Sequence, residues 1–242
     1  MKNILIVIVP ILFGIIHYIE ISTFQAKLAG HEQKRISTGQ TASNAIQMFT
    51  RFFFLIMLPI LGLLIDTQIS TSSYLLLFQF SILSAFLFSL FATYKADYLK
   101  NKLKNMLVKG ISLNKLVKIQ FSTFFSSKGN FDNFLLEKKF FLANKRFILL
   151  SGFIYFVYAT SIFVAFYFSL IYYDYRASIS QLSGVTNAFA AVLLAFYLEP
   201  ELSRRIDESD QPDYFARHII LARIFGIFLL GEMLILTLFY FN

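Results

Sequence analysis

The sequence predicts an all-α, polytopic membrane protein with about six transmembrane helices, and three observations lead to this prediction. The 242 residues are 57% hydrophobic and only 15% charged, whereas soluble domains are typically about 25% charged. The mean hydropathy is +0.64. Six segments are predominantly apolar over the roughly 20 residues that a helix needs to cross a bilayer. The aromatic content, 18% of the chain, also argues against a disordered protein.

The six predicted helices follow one another along the whole chain. The first resembles a signal peptide, but no small-residue cleavage site follows it, so we expect it to be retained. The second and fifth contain polar side chains that lipid tolerates poorly, so these two are expected to face protein or a cavity. The segments run over residues 4–21, 42–65, 74–93, 147–173, 181–199 and 218–241.

The basic residues predict the orientation in the membrane. The connections after the first, third and fifth helices hold eighteen Lys and Arg, including Lys27, and the opposite side holds only Lys2 and Arg176. Because cytoplasmic loops are enriched in Lys and Arg, both termini are expected on the extracytoplasmic side.

The net charge of +8 is concentrated in one connection, residues 95–146, which holds twelve basic and three acidic residues. Apolar residues recur at helical spacing between its lysines, a pattern typical of amphipathic helices on an anionic membrane surface. We therefore expect one or two such helices, with anionic lipids as partners and no nucleic-acid partner. The apolar residues are Leu103, Met106, Leu107, Leu113, Val117, Phe121 and Phe124.

An internal similarity predicts a 3+3 repeat. Because each unit has three helices, the two units must be inverted relative to each other, a common plan among secondary transporters. The predicted organisation is a first membrane repeat (1–93), a basic loop (94–146) and a second membrane repeat (147–242). Pro59 and Pro200 are expected to break or end their helices. The aligned pairs include Asn44 with Asn187, Pro59 with Pro200 and Asp66 with Asp207.

The second helix carries a polar stripe, because Asn44, Gln47 and Arg51 are spaced three and four residues apart. Arg51 lies too deep to be a simple end residue, and an Arg at the centre of a membrane costs about 2.5 to 3.5 kcal/mol. It is therefore expected to face a cavity. It either pairs with an acid such as Glu20 or awaits an anionic headgroup.

Other polar residues lie in three further helices. His17 and Glu20 share a face of the first, either as an interfacial pair that closes the helix end or as a functional pair. Ser183 and Asn187 form a stripe in the fifth helix. Either this stripe binds substrate, or it packs against another helix that neighbouring Gly184 allows to approach closely. Arg223, in the last helix, is a candidate second phosphate contact.

The residues that are missing argue against an enzyme. The chain has no Cys and only three His, so thiol catalysis and a zinc site are not expected. It lacks a phosphate-binding loop of the GxxxxGK[ST] type and a compact set of His and Asp residues. Charges inside the membrane without a catalytic cluster indicate transport, with no cofactor.

The polar motifs at both ends of the chain resemble those of the Amj family, bacterial membrane proteins that act as an alternative to MurJ in flipping lipid II. The resemblance covers both halves and not the basic loop. Phe52–Phe54 and residues 31–33 depart from the family pattern. The matching residues are His17-Tyr18-Ile19-Glu20, Leu28-Ala29-Gly30, Asn44, Arg51 and Pro59, and then Ser180–Gly184, Asn187, Pro200, Asp207 and Arg223.

The resemblance implies transport of lipid II, the undecaprenyl-diphosphate-linked peptidoglycan precursor, from the inner to the outer leaflet of the bacterial cytoplasmic membrane. Arg51 and Arg223 would hold the diphosphate, because a guanidinium offers a bidentate fork to phosphate oxygens. The amides of Asn44, Gln47 and Asn187 would bind the diphosphate or the sugars. His17 and Glu20, the pair in the first helix, would gate transport or couple it to protons.

Two alternatives remain open. The chain could flip another polyprenyl-phosphate-linked glycan or lipid. From a different class, it could be a non-transporting membrane scaffold that recruits cell-envelope enzymes through the basic loop. A membrane enzyme of lipid-phosphate chemistry ranks last, for want of a catalytic cluster.

Overall fold

The computed structural model describes residues 2–110, 112–130, 138–209 and 211–241, and their regular structure is entirely helical. Six helical segments are long and apolar enough to cross a membrane, which confirms the predicted fold class. The helices are α1 (Lys2–Glu32), α2 (Ile36–Asp66), α3 (Thr71–Tyr94), α4 (Ala96–Lys109), α5 (Leu113–Phe124), α6 (Lys138–Ile171), α7 (Arg176–Leu193), α8 (Glu199–Glu208), α9 (Pro212–Phe225) and α10 (Gly231–Tyr240).

Two helices extend beyond the predicted apolar segments at the ends that adjoin the first and third connections. α1 continues to Glu32, and α6 already begins at Lys138. Helix ends are set by backbone hydrogen bonding and packing, and hydropathy reports only the part that lies in lipid. The expectation that Lys27 belongs to the first connection is therefore wrong, because it lies in α1 and is buried.

The last two membrane segments each contain a π-helical turn. The turn Leu194–Leu198 joins α7 to α8, and Gly226–Leu230 joins α9 to α10. α2, in contrast, runs through Pro59 without interruption, so the expected break there is wrong. Pro200 lies in the first turn of α8, a position where the missing N–H costs little.

The core joins the two halves through aromatic rings. The Phe163 ring of α6 stacks on Phe78 of α3 at 4.7 Å between centroids and meets the edge of Phe13 of α1 at 5.0 Å. Tyr74 of α3 donates a hydrogen bond to the Phe163 carbonyl, 2.8 Å away. All four side chains are buried, so α1, α3 and α6 form the centre of the bundle.

The first helix of each half packs along the other two membrane segments of its half. In the first half, α1 contacts α2 and α3, and in the second, α6 contacts α7 and the α9–α10 segment. This common arrangement is compatible with the predicted repeat, although the inversion and the domain boundaries at 93 and 146 stay predictions.

The basic loop folds back onto the bundle. The apolar residues Leu99, Leu103 and Leu107 of α4 are buried, and α4 packs on α1. Lys100 pairs with Glu32 at 2.8 Å and with Asp213 at 2.6 Å, and Lys104 also pairs with Glu32. Two helices, α4 and α5, lie where the sequence predicts one or two amphipathic helices, and their contact with a membrane surface stays a prediction. The apolar face of α4, however, is covered by protein and not by membrane.

Candidate functional site

The most buried charges of the membrane segments meet at Arg223. This residue lies on α9, three residues before the π-helical turn, and is 3% exposed. Its guanidinium donates a hydrogen bond to the Glu20 carboxylate, and its Nη2 lies 3.1 Å from His17 Nδ1. The aromatic ring of Tyr155 on α6 lies 4.5 Å from the guanidinium carbon. Residues from α1, α6 and α9 thus form one buried polar cluster.

His17 and Glu20 form the pair that their spacing predicts. His17 Nδ1 lies 3.6 Å from Glu20 Oε2, and both side chains are almost completely buried. The edge of His17 also contacts the Phe13 ring, with 4.5 Å between centroids. Because a buried carboxylate without a cation is very costly, Arg223 is the group that keeps Glu20 in this position. The pair therefore belongs to the bundle core and does not close a helix end at the interface.

Arg51 lies outside this buried cluster. Its side chain is exposed on α2. Glu20, the acid expected as one possible partner of Arg51, pairs with Arg223 instead. α6 connects the helix that carries Arg51 to the buried cluster. Tyr158 is half-buried on α6 and meets the Phe54 ring of α2 at 6.4 Å. Tyr155, one turn earlier on α6, lies beside Arg223.

The polar stripe of α2 is open along its length. Asn44 and Gln47 are both exposed, like Arg51, whereas Ile46 and Thr50 on the other side of the helix are buried. Asn44 Oδ1 accepts a hydrogen bond from Gln40 one turn earlier, at 3.1 Å. The stripe thus presents amide groups and one guanidinium on a single exposed face of a membrane-spanning helix.

Asn187 lies on α7 and is half-buried. Ser183, one turn before it, is buried. Among the described residues, no atom outside the local backbone of α7 lies within 4 Å of the place where a Gly184 side chain would begin. The expectation that Gly184 permits close helix packing is therefore wrong. The structure brings Arg223, Glu20 and His17 together, and leaves the stripe of α2 and Asn187 on separate helices.

Two ion pairs connect the halves at opposite ends of the bundle. Near the C-terminal end of α1, buried Lys27 pairs with Glu199, which directly follows a π-helical turn. At the other end of α2, Asp66 accepts a hydrogen bond from Arg176 Nε at 2.9 Å. We name these the Lys27–Glu199 pair and the Asp66–Arg176 pair.

Sequence reasoning missed two tyrosines of α6 that lie close to the site. The ring of Tyr155 lies under the Arg223 guanidinium. Tyr158 meets the Phe54 ring of α2, the helix that carries Arg51. The chain has 13 Tyr and 31 Phe, and no spacing in the sequence distinguishes Tyr155 and Tyr158 from the others. Their contacts with neighbouring helices identify them.

A family model described as "Amj: Alternate to MurJ" matches residues 12–236, which is nearly the whole chain. The chain belongs to the Amj family. The match runs from within α1 to within α10, so it includes the buried cluster of the Amj chain and its exposed stripe. No curated protein and no solved structure matches the sequence.

The geometry of the Amj chain suits the binding of an anion better than the making or breaking of covalent bonds. The exposed guanidinium of Arg51 can form two parallel hydrogen bonds with a phosphate, and the amides beside it can bind sugar or phosphate oxygens. Both π-helical turns lie close to a charged residue. One turn directly precedes Glu199, and the other begins three residues after Arg223. Such turns occur frequently at functional sites because they interrupt the regular helix.

Proposed function

We propose that this protein is a flippase that moves lipid II from the inner to the outer leaflet of the bacterial cytoplasmic membrane. The observation that carries the proposal is the family match, whose description names an alternate to MurJ. It is supported by the six membrane segments and by a cation exposed on the middle of one of them. Peptidoglycan synthesis would use the product on the outer side.

Arg51 is the proposed contact for the diphosphate. Its side chain is exposed about halfway along α2, and no carboxylate of the described residues pairs with it. An unpaired cation at this depth costs about 2.5 to 3.5 kcal/mol. A bound diphosphate offsets this cost through bidentate hydrogen bonds, while the lipid tail remains in the bilayer. Asn44, Gln47 and Asn187 would bind the same headgroup.

Arg223 has a different role in this proposal from Arg51. Because Glu20 and His17 already engage its guanidinium, it holds the centre of the bundle in one arrangement. An anion at Arg51 would act on the buried pair through α6, because Tyr158 of α6 contacts Phe54 of α2 and Tyr155 of α6 lies beside Arg223. His17 and Glu20 would then gate the movement or couple it to protons, and Arg223 would contact the phosphate only after leaving Glu20.

Alternating access is proposed to use the two ion pairs at opposite ends of the bundle. The Lys27–Glu199 pair joins the halves near the predicted cytoplasmic side, and the Asp66–Arg176 pair joins them on the opposite side. Opening one pair while the other stays closed would expose the stripe of α2 to one side at a time. Both termini are proposed to lie outside the cytoplasm, with anionic lipids around the basic loop.

The experiment is rescue of a bacterium depleted of its main lipid II flippase. We expect the wild-type chain to restore growth and outer-leaflet lipid II, and Arg51→Ala to restore neither at equal membrane abundance. Arg204→Ala is the matched control, because Arg204 is also exposed but pairs with Glu201 and Glu208. Absence of rescue by an abundant wild-type chain would reject the proposal. Full rescue by Arg51→Ala would reject only the role of Arg51.

The alternative substrates are distinguished by competition. Purified chain in vesicles is given labelled lipid II together with an excess of another polyprenyl-phosphate-linked glycan. Preferential transport of the competitor would assign the chain to that substrate instead. A scaffold would move neither lipid in these vesicles.

A further inference from the structure

At the C-terminal end of α5, two polar side chains point inward and two aromatic side chains point outward, as expected for a segment in contact with hydrocarbon. Gln120 and Thr123 point into the protein and are buried, and none of their side-chain polar atoms has a hydrogen-bond partner among the described residues. Phe121 is 63% exposed on the outer side, and Phe125, just after the helix, is 77% exposed. Water would favour the reverse arrangement, whereas a bilayer favours aromatic groups on the outside.

The end of α5 lies at the depth of the membrane-spanning helices. The Phe124 ring packs 5.1 Å from Tyr18 of α1 and 5.4 Å and 6.3 Å from Phe91 and Phe88 of α3. Because a helix rises 1.5 Å per residue, Phe88 lies about 9 Å before the end of α3 at Tyr94. The end of α5 is therefore beside these helices and not beneath them.

The segment that follows α5 is irregular, but its polar backbone groups are bonded. Lys95, which is 2% exposed, donates through Nζ to the carbonyls of Ser126 and Lys128. The Asn130 N–H donates to the Tyr94 carbonyl at 3.0 Å. The Lys128 N–H donates to Ser126 Oγ at 3.0 Å. Non-helical backbone at membrane depth is tolerated only when the protein satisfies such groups.

The lysines of α5 fit the headgroup region above this depth. Lys115 and Lys118 are exposed and lie one to two turns before Phe121. Long lysine side chains can extend along apolar surface and place the ammonium group among anionic headgroups. This positions charge at the interface and aromatic rings below it.

We propose that the C-terminal end of α5 is a re-entrant wedge in the inner leaflet, where Phe121 and Phe125 contact phospholipid acyl chains. Lys115 and Lys118 bind the anionic headgroups. α4 has no such role, because its apolar face is buried against α1. The wedge is independent of the proposed transport function and is present whichever lipid the protein carries.

The absence of tryptophan from the chain permits a direct test. The full chain carrying Phe121→Trp is reconstituted in vesicles of phosphatidylglycerol and phosphatidylethanolamine, with or without bromine on the acyl chains. We expect blue-shifted emission and quenching by the brominated lipids. Ser122→Trp is the control on the adjacent residue, because Ser122 lies on the side of α5 that faces α4, where it accepts a hydrogen bond from Lys102 at 2.9 Å.

The F121W indole should be quenched several-fold more by brominated lipid than the S122W indole, and less by aqueous iodide. F125W gives a second reporter if F121W does not reconstitute. Equal quenching of F121W and S122W by iodide, without additional quenching of F121W or F125W by brominated lipid, would overturn the proposal.

Discussion

Arg223 and Glu20 are 203 residues apart in the sequence and form a buried ion pair between α9 and α1. Each side chain is only 4% exposed. The pair therefore connects the two halves of the chain at the centre of the bundle. His17 and Tyr155 complete its surroundings on either side.

Removal of one member of this pair should destabilise the fold more than removal of both. Arg223→Met leaves the Glu20 carboxylate buried without a cation, at a cost of about 3 to 5 kcal/mol. In the double variant Glu20→Gln/Arg223→Met no uncompensated charge remains, so part of the stability should return. Thermal unfolding in detergent, followed by the loss of monodisperse protein, measures this. An equal loss in both variants would contradict the interpretation.

Close backbone contact between α1 and α2 should make Gly39 intolerant of a side chain. A Cβ atom on Gly39 would lie 2.7 Å from the Gly30 Cα and 2.9 Å from the Ala26 carbonyl oxygen. Because backbone atoms must move, Gly39→Ala is expected to cost about 1 to 3 kcal/mol, seen as a lower unfolding temperature.

Gly184→Ala is the matched control for this glycine. It also lies inside a helix, but a Cβ atom there has nothing within 4 Å. Alanine favours a helix over glycine by about 0.5 to 1 kcal/mol, so the unfolding temperature should stay equal or rise. A loss equal to that of Gly39→Ala would show that the contact between α1 and α2 is not the cause.

Cross-linking the inter-half ion pairs should stop transport reversibly. The natural chain contains no cysteine, so Asp66→Cys/Arg176→Cys and Lys27→Cys/Glu199→Cys can each be joined by a short reducible bis-thiol reagent. If the halves separate in turn at the two ends, either cross-link blocks lipid movement and reduction restores it. The same reagent on each single-cysteine variant controls for modification alone. Unchanged transport by a fully cross-linked chain would rule out separation at that end.

The predicted orientation can be measured with single cysteines. Ser72→Cys lies at the start of α3 and Lys109→Cys at the end of α4, and both positions are exposed. A maleimide that does not cross the inner membrane should label Ser72→Cys in intact spheroplasts and Lys109→Cys only after lysis. The reverse pattern would place the termini in the cytoplasm.

Much of the bundle could be predicted because a bilayer imposes local requirements. A stretch of apolar residues long enough to cross hydrocarbon specifies a helix without reference to any other part of the chain. The ends of the helices could not be predicted in this way. The sequence alone places Lys27 in a loop. In the structure the helix continues past Lys27, which pairs with Glu199.

The candidate site was only partly predictable for the same reason. The spacing of Asn44, Gln47 and Arg51 indicated one face of α2, and the structure places all three on an exposed face. Arg223 was expected to bind phosphate, but it pairs with Glu20. No pattern in the sequence connects two residues in the first and last helices.

The sequence by itself determined the class of protein, the six membrane segments and the polar residues that lipid cannot easily accommodate. These follow from the local cost of placing each side chain in hydrocarbon. Only the tertiary structure decided which charges neutralise one another and which remain exposed. Buried Glu20 pairs with Arg223, so Arg51 is left on the surface of α2. Such pairing depends on distances between helices, and those distances arise only when the bundle packs.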